Sequence, residues 1–128
     1  MMIWRAFSVP ALASALLMAS PAAAHPRLVS TSPAANSGVG PTSRIALTFS
    51  ERLLAPLSNA DVLMTGMPGR PHHRPVRMPG FHSAIAANGK TLTLVNQRPL
   101  PRGSYRIQWH AVAADTHHVA GAFAFMVK

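Results

Sequence analysis

Four segments of this chain alternate apolar and polar side chains with a period of two, and that pattern admits strands and little else. Ile45, Leu47 and Phe49 share one side of residues 44–50. Residues 91–95 (TLTLV) alternate again, Tyr105, Ile107 and Trp109 line one side of residues 104–109, and Phe123, Phe125 and Val127 line one side of residues 123–127. A period of two means a strand with one buried face. Shorter strand candidates are residues 27–31 and 61–64. Turn chemistry separates the segments at Asn36-Ser37-Gly38, Asn88-Gly89-Lys90 and Pro101-Arg102-Gly103. Asn88-Gly89 suits a hairpin tip, because both residues tolerate positive φ. No amphipathic helix stands out, and residues 51–59 could supply one short turn. Short strands with frequent Pro and Gly between them predict an all-β sandwich or barrel.

Residues 65–81 break the pattern. They hold four prolines, three glycines, two methionines, two histidines and three arginines, and they read as a long loop. Such a loop in a compact domain is often functional.

The N-terminus has a different logic. Arg5 precedes a run of small and apolar residues, and Ala22-Ala23-Ala24 ends it with an A-x-A cleavage signal. The run is shorter than the roughly 20 residues of a spanning helix, and Pro10 interrupts it. Residues 1–24 therefore read as a secretory signal peptide and residues 25–128 as one exported domain with no membrane span. That domain keeps eleven basic residues against three acids, since the leader removes only Arg5 from twelve. The arginines are scattered and no nucleic-acid-binding pattern accompanies them, so the charge reads as a solvated surface. The chain has no cysteine, which excludes thiolate metal sites and thiol catalysis. No serine-hydrolase elbow, phosphate loop or zinc-protease helix is present.

Three groups of residues carry metal chemistry. Cleavage after Ala24 would give His25 a free amine, and that nitrogen with imidazole Nδ1 can chelate one ion. Nitrogen and oxygen donors of this kind suit Cu(II), and Pro26 blocks coordination by the next amide. The second group is Asp115-Thr116-His117-His118. Read as an extended segment, it puts Asp115 and His117 on one side and His118 on the other. The third is the methionine-bearing loop, with Met64, Met67, Met78, His72, His73 and His82. Thioether sulfur is a soft donor that selects Cu(I).

Taken together, these segments resemble the CopC family of periplasmic copper-resistance proteins. The resemblance lies in His25-Pro26-Arg27-Leu28-Val29-Ser30-Thr31-Ser32-Pro33, in Phe49-Ser50-Glu51, and in the run from Gly103 through Trp109 to Asp115-Thr116-His117. It extends to Gly121 and the closing Phe125-Met126-Val127-Lys128. It implies a Greek-key β-sandwich of the cupredoxin-like, immunoglobulin-like kind, and a periplasmic address. It further implies Cu(II) held by His25, Asp115 and His117, with Glu51 as a weak ligand or a group behind the ligands. A subset of the family also binds Cu(I) through a methionine-rich loop, and Met64, Met67 and His72 fall on that pattern. Arg70 and Pro75 stand where such members have methionines. The expected function is a non-enzymatic carrier or buffer of copper, passing it to a membrane copper transporter or another periplasmic copper protein. Copper oxygenases also use an N-terminal histidine chelate. They need an open coordination position and a substrate face, and residues 25–128 contain only one Trp and one Tyr. A generic sandwich interaction module is the remaining alternative.

Overall fold

A computed structural model describes residues 25–128; the proposed leader, residues 1–24, lies outside the described residues. Nine strands are present among the described residues: β1 (Leu28–Ser32), β2 (Gly38–Val39), β3 (Arg44–Phe49), β4 (Asn59–Gly66), β5 (Val76–Arg77), β6 (His82–Ile85), β7 (Thr91–Val95), β8 (Gly103–Val112) and β9 (His118–Val127). The one helical element among the described residues is a single 3-10 turn, Ala55–Leu57, with Pro56 inside it. The strands form two sheets, ordered β1-β3-β7-β6 and β2-β9-β8-β4-β5. The chain crosses between the sheets after β1, β2, β3, β5 and β7. The fold is thus the expected sandwich, with two separate sheets rather than a closed barrel.

The alternating residues fill the space between the sheets. Ile45, Leu47, Phe49, Leu92 and Leu94 face inward from one sheet, and Val62, Tyr105, Ile107, Phe123, Phe125 and Val127 from the other, all nearly inaccessible. Each such side chain contributes about 1.5–3 kcal/mol of burial, and in a chain without disulfides this is the main source of cohesion. Phe49 and Trp109 join the two layers edge-to-face, with ring centroids 5.0 Å apart. Gly121 sits opposite Trp109 on β9, and a Cβ there would come within 2.6 Å of the indole ring. Only a glycine lets β9 pass under that ring.

Tyr105 is fully buried, and its hydroxyl donates to the Pro101 carbonyl at 2.6 Å. This ties the turn before β8 to the core, as the tyrosine corner does in other sandwiches. Burial pushes its phenol up to about 12. Tyr105→Phe keeps the ring and strands a carbonyl, so it is expected to cost about 1 kcal/mol. Urea unfolding of the two proteins would check this.

Several boundaries differ from the sequence reading. β1 begins and ends one residue later than residues 27–31, and β4 runs well beyond residues 61–64 at both ends. Residues 65–81 are not wholly loop, because Thr65 and Gly66 complete β4 and β5 pairs back onto it through Leu63↔Arg77 and Met64↔Val76. β6 carries no strong alternation, since it is an edge strand and three of its four residues are exposed. The hairpin between β6 and β7 does turn at Asn88-Gly89. Asn88 Oδ1 accepts the amides of Lys90 and Thr91, and Gly89 has φ 73°.

Candidate metal centre

One end of the sandwich gathers His25, Asp115 and His117 from two distant parts of the sequence, near the end of β3 that Glu51 follows. Ser50, just past the end of β3, is the hub. The Arg27 amide donates to Ser50 Oγ at 2.9 Å, the Ser50 amide donates to the Arg27 carbonyl at 2.8 Å, and Ser50 Oγ–H reaches the His25 carbonyl at 3.4 Å. Pro26 between them is buried. Residues 25–27 are thus laced to the end of β3, and His25 is held there, exposed. The same connection holds the β8–β9 turn. Leu53 bridges to Ala113, and the Ala114 amide donates to the Arg52 carbonyl at 3.2 Å.

The turn itself differs from the extended segment expected. β8 ends at Val112 and β9 starts at His118. Between them the Thr116 amide donates to the Ala113 carbonyl at 2.8 Å, and the Ala113 amide donates to the His117 carbonyl at 3.1 Å. Thr116 has φ 71°. A β-branched residue in that region costs about 1–3 kcal/mol, and such outliers persist where surrounding bonds over-determine them. Here those bonds come from Asp115. Its Oδ1 accepts the His117 amide at 3.2 Å, and its Oδ2 lies 2.6 Å from His117 Nδ1. Asp115 and His117 do share one side, but because of a carboxylate-clamped turn rather than strand alternation.

The His117 ring then meets the His25 ring edge-on, with centroids 4.5 Å apart at 67°. The His117 hydrogen bonds hold the Asp115 carboxyl below the usual carboxylate range, the side-chain bond first and the amide bond second. With Nδ1 engaged, His117 offers Nε2 as the free donor. Carboxylate-to-imidazole pairing of this kind fixes tautomer and ring orientation in many metal sites. Among the described residues, no three His, Asp or Glu side chains are arranged as a ready metal cage. The convergence consists of two imidazoles and one carboxylate turned onto one of them. Glu51 follows Ser50 directly, is half-buried, and forms no ion pair with a described residue.

The methionine-bearing loop leads away from this end. Met64 lies in β4 and is 7% exposed, packed in the core, whereas Met67 is 39% exposed. Met67 and Arg70 exchange backbone bonds of 2.9 Å in each direction around Gly69. His72 is exposed. His73, which the sequence resemblance did not select, is the more firmly held of the two. Its amide is bound to the Thr65 carbonyl at 3.0 Å and its Nδ1 lies 2.8 Å from the Arg74 carbonyl, while its buried Nε2 has no protein partner. The sequence signal was only a second adjacent histidine. Met126 is a further exposed thioether, and it shares a cleft with Met67, Arg102 and Lys128.

Fold and site together define a β-sandwich protein with two imidazoles and a carboxylate gathered at one end. Residues 28–128 match the CopC domain. The chain is 41% identical over 107 residues to copper resistance protein C of Escherichia coli, covering 84% of each. It is 37% identical over 130 residues to copper resistance protein C of Pseudomonas syringae pv. tomato, covering all of both. The crystal structure of PcoC, a methionine-rich copper resistance protein from Escherichia coli, superposes with a TM-score of 0.74 at 40% identity. That match covers 82% of this chain and 100% of PcoC. CopC from Methylosinus trichosporium OB3b superposes at 0.65 with 25% identity, over 81% of this chain and 94% of that one. The chain belongs to the CopC family.

Proposed function

We propose that this protein is a periplasmic copper-binding protein of copper resistance, a carrier or buffer that takes Cu(II) at the His25 end of the sandwich. The observation that carries the reading is the convergence of His25 and His117, with ring centroids 4.5 Å apart although 92 positions separate them in sequence. Two imidazoles, the amine freed by cleavage after Ala24, and the Asp115 carboxylate make a nitrogen-and-oxygen set, which favours Cu(II) among divalent ions. In this reading Asp115 either swings from His117 Nδ1 onto the ion or keeps His117 aimed at it. Glu51 supplies negative charge close by. Copper is cargo here, and no catalytic step is assigned to it. A Cu(II) titration followed by EPR, on protein beginning at His25, tests the reading. It predicts one tightly held ion with a nitrogen-rich tetragonal spectrum. Copper surrendered to a weak chelator would refute it.

The proposed Cu(I) site lies in the loop, with Met67 and an imidazole as donors and Met64 available only where the end of β4 opens. The geometry of His73 favours it over His72 as the imidazole. Met64→Leu with Met67→Leu is expected to weaken Cu(I) binding and leave Cu(II) binding unchanged. Both swaps conserve volume, so each should cost less than about 1.5 kcal/mol of stability. Parallel Cu(I) and Cu(II) competition titrations check it; an equal response of both ions would show that the two sites are one.

A further inference from the structure

Two histidines, His110 and His118, take no part in the centre or the loop, and the β8–β9 register brings them together. Tyr105, Ile107 and Trp109 point inward from β8, so Arg106, Gln108 and His110 point outward. Phe123, Phe125 and Val127 point inward from β9, so Ala124, Ala122, Ala120 and His118 form the outward row. His110 pairs with Ala120 and His118 with Val112. The two histidines thus occupy one face, one strand apart and two residues along. Diagonal neighbours of this kind have Cα atoms about 7–8 Å apart and Cβ atoms somewhat closer, within reach of aromatic-sized side chains. Both residues are exposed. Unlike His73 and His117, neither ring is engaged by a described hydrogen-bond partner. Ala120 places only a methyl group beside His110.

We infer that His110 and His118 form a second site for a borderline divalent metal ion, Cu(II) foremost, on the outer face of the larger sheet. Imidazole suits such ions, and Cu(II) heads their affinity order. Two protein nitrogens with water completing the sphere hold an ion more weakly than an N-terminal chelate does. His118 is joined directly to His117, whose ring faces His25. A metal ion at the new site is therefore a near neighbour of the main centre without sharing a ligand with it. The arrangement provides a loosely held, exchangeable ion beside a tightly held one. It needs neither the freed amine nor the methionine loop.

The test uses protein carrying His117→Ala, titrated with Cu(II) chloride and followed by nitrogen-15 NMR. Paramagnetic broadening is expected to centre on His110, His118 and Ala120, and to disappear from that face when His110→Ala or His118→Ala is added. In otherwise unaltered protein, His110→Ala should abolish the second, weaker equivalent of Cu(II) and leave the first intact. Broadening that persists on that face in both added variants would overturn the site. So would a second equivalent that disappears with His72→Ala and His73→Ala instead. Retention of the first equivalent in His117→Ala itself would count against the main centre, not against this one.

Discussion

His117→Ala is expected to abolish tight Cu(II) binding, while His118→Ala leaves it intact. The two residues are adjacent, and the fold separates their roles. His117 ends a turn clamped by Asp115 and faces His25, whereas His118 opens β9 on the outer face of the sheet. Loss of a partner that merely orients a metal-binding imidazole typically costs 10–100-fold in affinity. Removal of the imidazole itself should cost about a hundredfold or more. Asp115→Asn should fall within the roughly 10–100-fold range, because the amide keeps an oxygen donor but loses the charge and the strong bond to Nδ1. Binding should also fall with pH, since imidazole and amine must shed protons to bind metal. His117 holds the Asp115 carboxyl below the usual carboxylate range, which favours the charged form of that donor. Competition against a common chelator, variant by variant and at several pH values, measures all of this. Retained binding in His117→Ala with loss in His118→Ala would invert the proposed site.

The second large effect concerns the start of the processed chain. A protein retaining one residue before His25 should bind Cu(II) weakly, by a loss comparable to that of His117→Ala. The added residue turns the amine into an amide, which gives up the basic nitrogen and with it the chelate ring. Residues 25–27 are laced to Ser50 through their backbone, and an extension leaves those bonds untouched. The comparison therefore isolates the amine from the fold. Equal thermal stability with unequal copper affinity is the expected pair of results. Equal affinity would show that His25 contributes its ring alone or nothing.

The period-two segments announced β3, β7, β8 and β9, because a strand with one wet face and one dry face must alternate, and that demand is local. Asn88-Gly89 likewise announced its hairpin through backbone freedom that two residues carry by themselves. His25 and the Asp115-Thr116-His117 triplet were legible as candidate metal donors from their chemistry, and the family resemblance joined them. Their meeting was not legible from periodicity. It depends on Ser50 lacing residues 25–27 to β3 and on Arg52 and Leu53 holding the β8–β9 turn, contacts between residues tens of positions apart. The turn at Thr116 was misread as strand because its conformation is set by side-chain bonds from Asp115, which no alternation reveals. Met64 shows the same division from the other side. Its softness suggested a ligand, but β4 continues to Gly66 and its register against β8 turns that sulfur into the core. Donor type and strand periodicity are properties of single residues and short windows, and sequence alone determined them. Which donors share a space is a property of register and strand order, and only the packed sheets decided it.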